Sequence, residues 1–126
     1  MWTYQQTTGF ILNPDGEHVF TGYSGAGHVA ATGRNNPDMQ DVVATGPIPQ
    51  GTYSIGPPYF NPKTGPTTMN LDPLPGTNTF GRSAFRIHGN NATDDASEGC
   101  IIHSPAGDRM SIWDSGDHVI QVVRGD

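Results

Sequence analysis

The side chains best suited to chemistry converge on one stretch, HGNNATDDASEGC. There His88 and Cys100, the single cysteine of the chain, are separated by eleven polar or small residues. A lone cysteine closes no internal disulfide and binds zinc only with other ligands, which leaves packing, oxidation sensing or chemistry as reasons for its presence. The thiolate is the nucleophilic form, and a free thiol with a pKa of ~8.5 needs a neighbouring base or cation to react at neutral pH. Histidine is the usual supplier, and there are five: His18, His28, His88, His103 and His118. His88 closes the run Ala84-Phe85-Arg86-Ile87, and Cys100 opens the apolar pair Ile101-Ile102. Two element ends of this kind, each flanked by glycine, can present both side chains at one rim of a β fold.

The flanking glycines suggest two further parts. Gly99 sits before the thiol, so the backbone N–H groups of Cys100 and its neighbour are candidates for an oxyanion pocket. Gly89 follows the histidine, and its carbonyl is free to accept the other imidazole N–H, setting the tautomer without a carboxylate. Two plainer alternatives stay open on residue chemistry alone. A cysteine beside isoleucines is also what a small buried hydrophobe looks like. His88, Cys100 and His103 also have spacing compatible with three zinc ligands, although no fourth is evident. Asp94, Asp95 and Glu98 read as solvated loop charges. His18, His28 and His118 carry no role.

The elements that must position these residues are short and β-like. With 17 Gly and 11 Pro in 126 residues, turns are abundant, and the length fits one domain, residues 1–126. Alternating or β-branched runs predict strands over residues 2–5, 10–12, 17–23, 52–55, 67–71, 84–88 and 118–123. Asn13-Pro14-Asp15-Gly16 joins two of them as a hairpin turn. Ser104-Pro105 reads as the N-cap and first-turn proline of one short helix over residues 106–115, with Met110, Ile112 and Trp113 as its apolar stripe and Gly116 as its stop. Residues 24–50 are rich in Gly, Asn and Pro, and are expected to form an irregular loop covering the active site. The expected class is mainly β, a sandwich or barrel-like domain with one short helix after the cysteine.

Twelve acidic against six basic residues give a formal net charge of -6, which repels a phosphate backbone and disfavours nucleic-acid binding. No stretch reaches the ~20 apolar residues that cross a bilayer. The amino terminus, MWTYQQTTGFILNPDGEHVF, has no basic region followed by a continuous apolar one, so synthesis in the cytoplasm without a secretory signal is expected.

The segment FGRSAFRIHGNN followed by ASEGCII resembles the catalytic signature of the L,D-transpeptidase superfamily, in which an Ile-His-Gly element precedes a Ser-x-Gly-Cys element. Order is informative, because papain-like and cell-wall amidase enzymes place the cysteine first. GPIPQGTYSIGPP resembles the Pro-x-Gly-x-Tyr/Phe-x-Ile strand of such domains. Together with MWTYQQTTG, TGYSGAG, NNPDMQ and IWDSGDH, these segments look like the L,D-transpeptidase-like effectors delivered by type VI secretion systems.

That resemblance implies an antibacterial toxin, carried by type VI secretion components into the periplasm of a rival cell and matched by an immunity protein in the producer. It implies attack on peptidoglycan tetrapeptide stems through a thioester, with L,D-carboxypeptidase or transpeptidase (D-amino acid exchange) activity and no cofactor. Carried over, Cys100 is the nucleophile, His88 the base, the Gly89 carbonyl the orienter, Gly99 and Cys100 the oxyanion donors, and Ser97 the motif serine that shapes the loop. Glu98 stands where ordinary members have a histidine. Ile101, Ile102 and His103 stand where many carry an arginine, so Arg82 and Arg86 become the candidates for holding a substrate carboxylate. The rival readings are a catalytically inactive peptidoglycan-binding module and a small zinc-binding structural protein.

Overall fold

The computed structural model describes residues 1–125, so the expected extent of 1–126 includes one residue outside those described. The chain is mainly β, with ten strands and one α-helix among the described residues. The strands are β1 (Trp2–Gln5), β2 (Phe10–Leu12), β3 (His18–Thr21), β4 (Tyr23–Ser24), β5 (Gly51–Ile55), β6 (Tyr59–Asn61), β7 (Gly65–Pro73), β8 (Arg86–His88), β9 (Ile101–Ile102) and β10 (Val119–Val123); the helix α1 is Ala106–Asp114. Along β1, β5 and β10 every second residue is buried, and Trp2, Tyr4, Tyr53, Ile55, Ile120 and Val122 join the core with Ile11, Met69, Leu71, Ile87 and Ile101. This is the period-two burial of strands with one face on a core.

The sheet runs β3-β2-β1-β10-β5-β7-β8-β9-β4, with β6 added beside β7. Most pairs are antiparallel; β1 with β10 and β8 with β9 are parallel. The first and last strands of this path, β3 and β4, are separated in the chain by Gly22 alone. The sheet therefore curls until its ends meet. A single strand was expected over residues 17–23, and the structure breaks it at this point. Gly22 is the hinge because a Cβ there would lie 2.1 Å from the Ile102 carbonyl oxygen, so only glycine permits the crossing.

The hairpin at Asn13 forms as expected: its Oδ1 accepts the Asp15 and Glu17 N–H groups, and Gly16 takes a φ of +85°. The strand expected from residue 84 starts instead at Arg86, since Ala84 has a φ of +63° and cannot continue a ladder. β6 and β9 were not expected. β6 is largely exposed and lies between prolines, and β9 is two residues long, so neither carries a periodic signal. The helix starts with Pro105 as N-cap and no side-chain cap, in place of Ser104. Its buried face consists of Arg109 and Ile112, with Trp113 partly packed and Met110 exposed. Four backbone carbonyls satisfy the buried guanidinium, a compensation the apolar pattern does not reveal.

Residues 24–50 contain two 3-10 turns, Ala30–Thr32 and Pro37–Met39. The segment is pinned from beneath. Ile48 is fully buried, its N–H donates to Ser24 Oγ at 2.8 Å, and its carbonyl accepts from the buried Gln6 Nε2 at 2.9 Å.

Candidate active site

His88 and Cys100 lie on neighbouring parallel strands. The register pairs Ile87 with Ile101 and His88 with Ile102, which places Arg86 opposite Cys100 one step earlier. Side chains alternate along a strand, so Ile87 and Ile101 enter the core while Arg86, His88 and Cys100 share the other face. The two groups therefore lie on one sheet face, two residues apart in register, and not at a common rim. Both line a cleft of about 520 Å³, together with Val43 and Ala44 from the irregular segment, Lys63 and Thr64 from the β6–β7 turn, and the residues flanking the pair. The expected cover over the site thus amounts to one wall.

The imidazole is buried and its orientation is fixed. Nδ1 lies 2.8 Å from the Gly89 carbonyl oxygen. A carbonyl only accepts, so Nδ1 carries the hydrogen and Nε2 is the basic nitrogen. Nε2 has no protein partner among the described residues. Burial pushes the His88 pKa below the usual histidine value; the Gly89 bond opposes this, and the charges of Arg109, Arg86 and Lys63 add to it. Cys100 donates its S–H to the Ala84 carbonyl at 3.8 Å. Burial raises its pKa above the ordinary thiol value, helped by the charge of Glu98 and opposed by the Arg86 backbone N–H and the charges of Arg86 and Lys63. At neutral pH the pair is a neutral imidazole beside a thiol, in which the base can take the proton as the sulfur attacks.

Ser97, only 1 % exposed, builds the turn that presents the thiol. Its Oγ donates to the Cys100 carbonyl at 2.7 Å and accepts from Gly25 N–H at 3.0 Å and Gly99 N–H at 3.1 Å. That last bond corrects the expectation for Gly99: its N–H is already committed and does not face an incoming oxyanion. The Cys100 N–H has no partner among the described residues and is the donor that remains. The role of Gly99 is steric. Its φ is +131°, and a Cβ there would lie 2.4 Å from Arg82 Nη2.

Arg82 is buried, and its two Nη groups donate to the carbonyls of Gln40, Pro47, Gly46 and Glu98. It clamps the irregular segment to the turn before Cys100. This bonding corrects its candidacy as a carboxylate holder, because both Nη groups are engaged with main chain. Arg86 is half-buried; its Nε donates to Tyr59 Oη at 3.2 Å, and its Nη groups have no protein partner among the described residues.

A second buried guanidinium, Arg109, was missed by sequence reasoning. It donates to the carbonyls of Thr67, His103, Ser104 and Pro66, and a Cβ on Gly89 would lie 3.2 Å from its Nη1. It thus ties the start of β7 to the segment after β9, close beside Gly89. No sequence signal marks an arginine on a helix as internal, and none marks Lys63 as part of the cleft.

The acidic residues of the loop have their own partners. Asp94 binds Arg34 at 3.0 Å and Asn90, whereas Asp95 binds Asn91 and Thr93. His103 contacts Asp108 at 2.8 Å and the Thr21 carbonyl. With those nitrogens so engaged and His88 Nδ1 on Gly89, the suggested zinc trio does not assemble, and no group of three metal-ligating side chains occurs among the described residues.

The model of the Tlde1 domain matches residues 18–123. The chain belongs to the Tlde1 domain family. This is a family of type VI secretion effectors, and the match spans both reactive residues and every strand from β3 to β10. No curated protein and no solved structure matches the chain. No helix among the described residues of this Tlde1 domain is long and apolar enough to cross a membrane.

Proposed function

We propose that this Tlde1 domain is a cysteine-dependent L,D-carboxypeptidase and D-amino acid exchange enzyme acting on peptidoglycan tetrapeptide stems in the periplasm of a target cell. As a member of an effector family, it would act alongside type VI secretion components, and an immunity protein would protect the producer. The observation that carries the reading is the fixed tautomer of His88. With Nδ1–H held by Gly89, Nε2 is the basic nitrogen of a cleft that it shares with Cys100.

In the reaction, His88 Nε2 takes the Cys100 proton as Sγ bonds to the carbonyl carbon of the third stem residue, the meso-diaminopimelate. The carbonyl oxygen becomes an oxyanion beside the Cys100 N–H. As the intermediate collapses, the C–N bond to terminal D-alanine breaks and the imidazolium returns its proton to the leaving amine, so a thioester remains. Water then yields a tripeptide stem, whereas the amine of a free D-amino acid yields an exchanged stem. The thiol is regenerated in both cases.

The test is mass spectrometry of tetrapeptide muropeptides incubated with the protein, with and without D-methionine. Loss of D-alanine, or its replacement by D-methionine, is expected, and Cys100→Ala abolishes both. An unchanged substrate in both conditions, or product persisting in Cys100→Ala, refutes the proposal.

A further inference from the structure

Helix α1 turns a cation inward. Arg109 is 3 % exposed, and no carboxylate pairs with it among the described residues, yet each of its nitrogens is bonded. Nε donates to the Thr67 carbonyl at 3.0 Å, Nη2 to Pro66 at 3.0 Å, and Nη1 to His103 at 2.7 Å and Ser104 at 2.6 Å. Burying a cation without a counter-ion is costly. Packing of the helix alone asks only for an apolar residue, such as the other buried member of its face, Ile112.

What the position gains is a hold on the main chain of His88 and Gly89. The His88 carbonyl accepts the His103 N–H at 3.0 Å, and the His103 carbonyl is one of the four that Arg109 binds. The peptide joining His88 and Gly89 is thus linked to the guanidinium through a single residue. The guanidinium also lies against Gly89 directly: a Cβ there would be 3.2 Å from Nη1, 3.5 Å from Nη2 and 3.6 Å from Cζ. Gly89 has no left-handed φ that would call for glycine, so the close approach of Arg109 is what its missing side chain serves. The Gly89 carbonyl in turn holds His88 Nδ1.

We infer that Arg109 is a positioning residue for His88: by binding the His103 carbonyl and lying against Gly89, it sets the main chain whose carbonyl fixes the imidazole tautomer. That His88 is the base rests on the proposed function; the tautomer does not. The charge works in the same direction. Arg109 from α1, Arg86 from β8 and Lys63 from the β6–β7 turn all disfavour the imidazolium, while Cys100, Asp95 and Glu98 share the cleft with the ring. Arg109 is the one buried cation of the three, so its charge is the least screened by solvent and salt.

The test is nitrogen NMR of the histidine rings, at mildly alkaline pH and through a titration, with the His88 signals identified by their loss in His88→Gln. The native ring is expected to carry its hydrogen on Nδ1. Arg109→Lys keeps the charge and loses the fork, whereas Gly89→Ala keeps the arginine and crowds it. Each is expected to move the tautomer ratio about fivefold toward Nε2–H, the scale of one hydrogen bond. The titration midpoint stays within ~0.3 pH units of native in Arg109→Lys and rises by ~0.5–1 in Arg109→Gln. With tetrapeptide stems, Arg109→Lys lowers kcat at nearly constant KM. Val122→Ala, which weakens the core on β10, leaves the ratio where it was. A native ring protonated at Nε2, a ratio unchanged in Arg109→Lys or in Gly89→Ala, or one that moves as far in Val122→Ala overturns the inference. A midpoint that Arg109→Gln leaves in place, or that Arg109→Lys raises equally, overturns the role of the charge. Should Arg109→Gln not fold, the lysine and alanine variants decide the positioning role. If no stem is turned over by the native protein, the proposed function fails, and the tautomer ratios still decide what Arg109 does.

Discussion

Gly99→Ala tests whether the turn before the thiol is held by the contacts described. Two costs are separable. A side chain at φ +131° is strained by ~1–3 kcal/mol. In addition, the new Cβ would lie 2.4 Å from Arg82 Nη2, where the guanidinium is held by Gly46, Pro47, Gln40 and Glu98. Relieving that overlap releases at least one charge-assisted bond to a buried carbonyl, worth ~1.5–3 kcal/mol. The sum, ~2.5–6 kcal/mol, is a large part of the ~5–15 kcal/mol that stabilises a domain of this size. Arg82→Ala removes the overlap along with the clamp. In that background Gly99→Ala therefore costs only the strain, and the two changes are less than additive by ~1.5–3 kcal/mol. Urea unfolding of the four proteins, followed by the fluorescence of Trp2 and Trp113, measures the cycle. Additivity to within ~0.5 kcal/mol would refute the steric reasoning.

Alkylation of Cys100 by iodoacetamide is expected to rise with pH about a midpoint above the ordinary ~8.5, because burial disfavours the thiolate. Glu98→Gln moves that midpoint down and Arg86→Gln moves it up, and stopped-time mass spectrometry reads both. The depressed His88 pKa predicts stability that is complete above the unfolded value of ~6.5 and is lost as pH falls through it toward the folded value, since the unfolded chain binds the proton first. Urea midpoints between pH 7 and 5 measure that slope, and His88→Gln flattens it. Ser97→Ala leaves the buried Gly25 and Gly99 N–H groups without their acceptor and is expected to lower stability by ~2–3 kcal/mol in the same unfolding assay, with slower alkylation at fixed pH.

Legibility followed the range of the interaction. The long alternating strands were readable because burial on one face repeats every second residue, and the hairpin at Asn13 because its turn is closed by its own side chain. β9 was not readable: two isoleucines form a strand only because β8 and β4 flank them. The His88 side of the site was visible, since Gly89 is its sequence neighbour. The oxyanion reading for Gly99 failed because Ser97, two residues earlier, turns back to take that N–H, a loop geometry that glycine itself does not encode. The two internal arginines were invisible for the same reason, as their carbonyl partners come from segments as distant as Gln40 and Thr67.

The lack of an arginine after the cysteine also has a physical basis. Ile101 is fully buried in the core and Ile102 is 1 % exposed on the strand that joins β8 to β4, while His103 is tied to Asp108 and stacked on Phe20 at 4.9 Å. A guanidinium at any of these three positions would lose its solvation or displace the contacts that close the sheet. Arg86 supplies a cation from the adjacent strand at the level of Cys100, where its stem packs along the sheet and its head reaches the cleft. A cation at Arg86 lies beside the thiol without cost to the core. That charge depends on Tyr59 and the β6–β7 hairpin, because the Tyr59 hydroxyl accepts from the Arg86 Nε and so sets where the guanidinium lies in the cleft.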